Sequence, residues 1–307
     1  MGGLFGFWLA KRLVISRRLR KGATARWYNL AKTSQGQHVF HMGAELKVVT
    51  LNLLNDLTYW HLRAPLIVDE LTALQPDLIA LQEVVFPDNT AQWITDRLQG
   101  YSVHVTPKTG RHGRREGLAI LSRLPIEAYQ MLSLRRQNRV AQYIVIRHAG
   151  RPWIFANTHL YWNPFGDRMR TREALYLLEW LPRPAILCGD FNAEPHYTSI
   201  TNILHRFRSA YRVANGCEPV YTCPTPLYRG PRPHHAARHA ALRVAGWVDR
   251  RRNETWRGTL DYIFVDQGIE VHECRVVFDQ PAQHDRRIYP SDHLGLMAQL
   301  LLTEAEP

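Results

Sequence analysis

Residues 46–53 read LKVVTLNL and residues 78–84 read LIALQEV; the stretch between them spaces its apolar residues like a helix. Each flanking run is short, rich in Val, Leu and Ile, and carries a polar residue near its end, the pattern of a buried strand. Between them Leu62, Leu66, Ile67, Leu71 and Leu74 mark one side of a helix. Gln75-Pro76 ends it, because proline disfavours helical backbone in the residue before it. The chain therefore opens on strand, helix, strand.

Working outward, further strands are expected at 101–106, 117–122, 140–147 and 153–158. A helix is expected over 168–181, with Ala174, Leu175, Leu177, Leu178 and Leu181 mostly on one side. Residues 184–189 (PAILCG) read as a short central strand, and 260–265, 269–277 and 293–302 supply three more. Helices alternate with strands early, and hairpin-like strand pairs follow in the middle and near the end. That mixture predicts an α/β sandwich with mixed sheets rather than a purely parallel one. No internal repeat appears, and the Pro/His/Arg-rich stretch 224–258 reads as a surface excursion within one domain.

A length of 307 residues with 45% apolar content suits a folded globular chain and excludes a disordered one. Four cysteines without a CxxC pair point to reduced thiols rather than a disulfide framework. The net charge of +12 is unevenly placed. Residues 1–45 hold eight Lys/Arg against one acid, and residues 227–258 hold eight Arg against two, which leaves the remainder at −1. Such basic segments attract polyanions, either nucleic acid or an anionic membrane face.

The apolar run LFGFWLA at 4–10 is too short to span a bilayer, and its basic residues follow it rather than precede it as in a secretory signal. Phe5, Trp8, Leu9 and Leu13 edged by Arg suit either an interfacial membrane helix or a nucleic-acid arm. Met42, just before the first core strand, is a second candidate start. The expected location is cytoplasmic, with peripheral membrane contact through residues 1–30 left open, and no protein partner is expected.

Asn52, Glu83, His159 and Asp190 each sit at the end of an apolar strand run, where α/β folds commonly build sites. Singly, each suits a turn; together with Asn192, Asp261, Asp292 and His293 they form a set. Carboxylate and carboxamide oxygens are hard donors that suit Mg2+ or Mn2+. Zn2+ would favour close His and Cys ligands, and no such cluster occurs at the strand ends. No G-x-S-x-G elbow, P-loop or G-x-G-x-x-G is present. What remains is metal-assisted attack of water on a phosphoester.

The segments VVTLNL, PDLIALQEV, EGLAILSR, NTHLYW, CGDFNAEP, GTLDYIFV and PSDHLGL follow one another from about Leu46 to Leu302. In that order they resemble the endonuclease/exonuclease/phosphatase superfamily. The resemblance implies a four-layer sandwich, two mixed β-sheets packed face to face with helices outside. It implies a domain over 46–303, with residues 1–45 a basic leader and 227–258 a basic excursion.

By the same resemblance Glu83 is the direct ligand of a Mg2+ or Mn2+ ion, with Asn52 and Asp292 helping to hold it. Asp190 orients or deprotonates water, assisted by Asn192. His293 contacts a phosphate oxygen with Asp261 behind it, His159 is the second imidazole, and Glu116 matches a carboxylate partner for that histidine. A metal and an imidazolium beside Asp190 should keep it ionised. The substrate stays open between a nucleic acid and a phospholipid or small phosphoester near a membrane; a catalytically silent binding module is a further alternative. Arg250, Arg251 and Arg252 between Trp247 and Trp256 favour nucleic acid, since interleaved Arg and aromatics hold backbone and stack on bases.

Overall fold

Successive side chains of a strand point to opposite faces, so a strand apolar throughout must be covered on both. Val48 packs into the layer between two sheets, while Val49 packs outward against helices. The same alternation separates Ala80 from Leu81, Ile186 from Leu187 and Phe155 from Ala156. Four layers result, helix–sheet–sheet–helix, as expected from the resemblance.

The computed structural model describes residues 28–32, 38–41, 43–148, 150–227, 248–249 and 254–303. β1 (Tyr28–Lys32) and β2 (His38–His41) form a two-stranded antiparallel ribbon. The first large sheet holds β3 (Gly43–Asn52), β4 (Leu78–Val85), β5 (Ser102–Pro107) and β6 (Glu116–Ser122). The second holds β7 (Ile126–Ser133), β8 (Val140–His148), β9 (Arg151–His159), β10 (Ala185–Asp190) and β11 (Arg208–Ser209). β12 (Val248–Asp249) and β13 (Glu254–Thr255) pair with each other. β14 (Asp261–Val265) joins the second sheet, and β15 (Ile269–Val277) and β16 (Gly295–Thr303) complete the first.

The first sheet runs β15-β16-β3-β4-β6-β5 and the second β11-β14-β10-β9-β8-β7. Each has one parallel pair at its centre, β3 with β4 and β10 with β9, among antiparallel neighbours. α1 (Trp60–Leu74) and α2 (Thr90–Thr95) cover the first sheet. α3 (Asp167–Trp180) and α4 (Thr198–Leu204) cover the second, and α5 (Ala210–Asn215) follows β11. α1 ends as expected: Gln75 takes a left-handed conformation and its N–H donates to the Leu71 carbonyl.

Several local expectations needed adjustment. Leu62 and Leu66 are only half-buried, and the buried stripe of α1 instead includes Arg63 and Ala64. Leu175 of α3 is exposed, whereas Arg170 and Glu173 are buried. β7 carries no sequence signal because its side chains are mostly exposed, so neither a continuous apolar run nor a clean alternation marks it. α2, α4 and α5 have six or seven residues each, too few for a helical period to register.

Among the described residues no helix is long and apolar enough to cross a membrane. Phe5, Trp8, Leu9 and Leu13, the open start at Met42, and Trp247 with Arg250–Arg252 lie outside the described residues. Trp256 is described, and its indole N–H donates to Glu194 at 3.2 Å.

A polar bridge crosses the apolar layer between the sheets. Asn157 of β9 donates to the carbonyls of Leu81 and Ala119 in the first sheet, both at 2.9 Å. Its Oδ1 accepts from Gln82 Nε2 at 2.8 Å. All these groups are out of reach of water, so losing one partner leaves others unsatisfied. Asn157→Ala should lower unfolding free energy by ~2–3 kcal/mol. Urea denaturation checks this: the midpoint should fall with little change in slope.

Candidate active site

Both parallel pairs point their C-terminal ends the same way as the site. Asn52 ends β3, Glu83 lies near the end of β4, His159 ends β9 and Asp190 ends β10. Asp261 begins β14, which runs antiparallel to β10, and Asp292 and His293 stand just before β16, antiparallel to β3. All eight expected residues therefore gather at one end of the sandwich. Across the second sheet His159, Asp190 and Asp261 are direct neighbours in register.

The turn GDFN shows how local sequence builds this end. Gly189 has φ of +149°, and a Cβ there would lie 2.1 Å from the Thr158 carbonyl oxygen. Only glycine allows β10 to approach β9 so closely. Phe191 turns away into the core, edge-on to Tyr262 and Phe264. Asn192 adopts φ of +50°, a conformation asparagine tolerates, and its N–H donates to Asp190 Oδ1 at 2.8 Å.

Glu83 is aimed by a β-bulge. Leu81 and Val84 both face the helices although three residues apart, because two residues of β4 oppose one of β6 here. Glu83 takes φ of +56° in that bulge and accepts the Asn55 N–H at 2.8 Å. Burial opposes its ionisation, but the Asn55 amide and the charges of Arg139, His293 and Lys108 outweigh this and lower its pKa. The bulge thus presents an anionic hard-oxygen donor at the strand end.

Asp190 is the hub. Asn52 Nδ2 donates to its Oδ2 at 3.0 Å, His159 Nε2 lies 3.3 Å from the same oxygen, and His293 Nε2 lies at 3.9 Å. Burial, reinforced by Asp261, pushes its pKa up to about 7 against the pull of His293, the Asn192 amide and Asn52. Without a metal ion beside it, burial thus outweighs the pull of the nearby imidazolium on this carboxyl group.

The two histidines are held in opposite states. Burial, followed by the charges of Arg139, Lys108 and His293, lowers the pKa of His159 well below the usual imidazole range. Its contact with Asp190 is thus the close approach of a neutral ring rather than an ion pair, and its Nδ1 has no hydrogen-bond partner among the described residues. For His293 burial also disfavours the cation, but Cys223, Asp261 and Asp190 raise its pKa well above the usual range. Asp261 accepts from its Nδ1 at 2.9 Å and from Thr222 Oγ1 at 2.6 Å, which fixes the ring.

Possible metal donors fall into overlapping groups. Glu83, Glu116 and His159 have donor atoms within 4.8 Å of one another, as do Asp190, Asp261 and His293. The short contacts of Glu116 are to Lys108 and to Asn55 Nδ2, the latter at 2.7 Å. Asp292 groups instead with His293 and Cys223.

Buried charged residues support this end. Arg170, which the sequence offers with Arg168 and Arg172 as a residue that could reach phosphate or lie on a solvated helix face, is one of them and is fully buried. Arg63, 1% exposed, donates to the carbonyls of Leu53 (2.8 Å), Leu54 (3.3 Å), Asp56 (2.8 Å) and Pro290 (2.9 Å). It therefore ties the loop carrying Asn55 to the segment leading into Asp292 and His293. Arg170 donates to the Tyr161 and Asn163 carbonyls, and Glu173 accepts the Tyr161 N–H, so the two brace the loop after His159. One sequence signal was present for them. Each is a charge placed on the buried stripe of an amphipathic helix, Arg63 four residues before Ile67 and Arg170 and Glu173 beside Ala174 and Leu177.

The Endonuclease/Exonuclease/phosphatase family model matches residues 49–293. The chain belongs to this family of phosphoester hydrolases. Nocturnin of Homo sapiens is 28% identical over 279 residues, covering 80% of this chain and 59% of nocturnin. The chain thus spans under two thirds of that relative's length. The Probable RNA exonuclease NGL3 of Saccharomyces cerevisiae is 30% identical over 177 residues, 46% of this chain and 34% of that protein. Among solved structures, the human nocturnin catalytic domain with bound sulfate anion superposes with a TM-score of 0.64 at 24% identity, covering 90% of this chain and 97% of that one. D. rerio TDP2 complexed with single strand DNA product gives 0.64 at 16% identity, covering 83% and 98%. Both structural likenesses speak for the fold.

The brace at Glu173 yields a pH test. Burial, against the Tyr161 amide and nearby arginines, raises its pKa from 4.5 to about 7. The folded state binds this proton more tightly than the unfolded chain, so its contribution weakens stability as pH rises from 4.5 to about 7. Glu173→Gln keeps an acceptor for Tyr161 and removes the titration. Denaturation at pH 5 and pH 8 should show the variant losing less stability between the two than the parent.

Proposed function

We propose that the chain is a divalent-metal-dependent phosphodiesterase that hydrolyses single-stranded nucleic acid. The observation that carries the hydrolytic reading is the buried hub at Asp190, contacted by Asn52 and His159 and backed by the Asp261–His293 pair. A catalytically silent module has no use for two histidines and a carboxyl group converging in one buried cluster beside a hard-oxygen donor.

Glu83, with Asn52 and Asp292, would hold Mg2+ or Mn2+, and the ionised carboxylate and carboxamide oxygens suit such hard cations. The ion, when bound, neutralises phosphate charge and makes a bound water more acidic. The remaining work falls to the protein's side chains. Asp190, with Asn192 holding its other oxygen, accepts the proton of the attacking water; a base with pKa near working pH is suited to that transfer. Cationic His293 donates to a non-bridging phosphate oxygen and stabilises the charge that builds there, with Asp261 keeping the ring oriented. Neutral His159 donates through Nε2 toward the reacting centre and helps stabilise the five-coordinate phosphorus.

Nucleic acid is favoured as substrate by the names of the relatives, an RNA exonuclease among them and a TDP2 solved with a single-strand DNA product. The Arg-rich excursion of the sequence agrees with this, since arginines bind phosphate backbone.

Asp190→Asn and His293→Ala should each lower kcat by at least ~10²-fold with folding intact, the usual scale for general acid–base groups. A panel of single-stranded RNA, poly(A), single-stranded DNA, sphingomyelin and sugar phosphates, with Mg2+ or with EDTA, checks the substrate class. Metal-dependent turnover confined to sphingomyelin or sugar phosphates would overturn the nucleic-acid reading, and turnover unaffected by EDTA would overturn the metal dependence.

A further inference from the structure

One reactive side chain at the site touches neither substrate nor metal in the hydrolytic scheme. Cys223 is 9% exposed and stands at the edge of the catalytic cluster. Two sets of backbone hydrogen bonds hold it there. Its N–H donates to the Gly258 carbonyl at 3.1 Å, and its own carbonyl accepts the Gly258 N–H at 2.8 Å. On the other side, Leu294 N–H donates to the Thr222 carbonyl at 2.7 Å, and Thr225 N–H donates to the Asp292 carbonyl at 2.8 Å. The segment 222–225 therefore runs alongside 292–294 and sets the thiol against Asp292 and His293.

The donor atoms of Cys223, Asp292 and His293 all lie within 4.8 Å of one another. A tetrahedral zinc site with bonds of about 2.0–2.3 Å holds its ligand atoms about 3.5 Å apart, so modest side-chain rotations suffice to close this triad on an ion. Its chemistry differs from that of the Glu83 side of the site. A thiolate and an imidazole with one carboxylate select Zn2+, whereas Mg2+ has little affinity for sulfur. Asp261, bonded to Nδ1 of His293, stands behind the imidazole as carboxylates stand behind zinc-bound histidines.

We propose that Cys223, Asp292 and His293 form an inhibitory Zn2+ site overlapping the catalytic centre. Zn2+ bound there, with the thiol proton and one ring proton of the His293 imidazolium released to solvent, withdraws His293 from phosphate and Asp292 from the hydrolytic metal. The inhibitory half of this inference rests on the roles given above to His293 and Asp292; the binding half does not.

Co2+ serves as a spectroscopic stand-in for Zn2+ and separates the two. Titrating the intact chain with Co2+ should produce a near-ultraviolet thiolate-to-cobalt charge-transfer band that is displaced by Zn2+. Cys223→Ser and Cys223→Ala should lack the band, while Cys217→Ser, at an exposed cysteine, should keep it. In parallel, Zn2+ should inhibit Mg2+-supported cleavage of bis-p-nitrophenyl phosphate. Measured against its own Mg2+-supported rate, Cys223→Ser should need at least ~10-fold more Zn2+ for half inhibition, within the range by which changed surroundings weaken zinc sites. A band that survives in both Cys223 variants, or equal Zn2+ sensitivity of parent and variants, would overturn the proposal. A Cys223-dependent band in a chain that hydrolyses nothing would support the site and count against the hydrolytic reading instead.

Discussion

Everything at the candidate active-site end depends on polar contacts that cross between two sheets otherwise joined by apolar packing. Asn52 in the first sheet donates to Asp190 in the second, and a few residues deeper Asn157 in the second donates to two carbonyls in the first. Apolar faces can slide with little penalty, because the hydrophobic effect is non-directional. A buried carboxamide cannot slide without leaving donors and acceptors unsatisfied. These contacts therefore hold the sheets in one relative position, and that position brings Asn52 and Glu83 of one sheet to His159, Asp190 and Asp261 of the other.

The same burial that makes those contacts directional also sets the charge states. Asp190 and His159 are enclosed, so each favours its neutral form, the carboxyl group rising and the imidazole falling. His293 is as enclosed, yet it is held cationic because Cys223 and Asp190 stand close by and Asp261 touches its ring directly. Two identical side chains thus diverge through the charges of their neighbours. Lys108 and Arg139 add positive charge on the Glu83 side, where Glu116 contacts Lys108 directly and Arg139 more loosely. The site end is a mosaic of compensated charge, consistent with a body that is nearly neutral outside its two basic segments.

Support for this mosaic comes from charged residues placed on the buried faces of helices. Arg63 spends its guanidinium on four backbone carbonyls of two loops, a role that lysine, with a compact ammonium, could not fill in the same geometry. Arg170 and Glu173 do the corresponding work beneath the loop after His159. The loops that carry the chemistry are consequently anchored to helices as well as to strands.

Strand and helix order, the mixed sheets and the eight polar residues at strand ends were legible in the sequence, because period-two and helical apolar patterns and strand-end polar residues are local features. GDFN was legible for the same reason: a close-approach glycine, a core phenylalanine and a turn asparagine are neighbours along the chain. The exposed strand β7 and the short helices were not, since their identity comes from pairing and packing partners rather than from their own pattern. Nor could the sequence show that Glu83 sits in a bulge, that Asp190 is pushed up by enclosure, or that Arg63 joins residues 53–56 to Pro290. A zinc-type donor set looked absent along the chain because Cys223 and His293 are far apart in it; pairing of 222–225 with 292–294 brings them together. The sequence by itself determined which groups are present and at which strand ends they stand. Only the tertiary structure decided their protonation, their aim and their company, because those depend on desolvation and on contacts between residues remote in the chain.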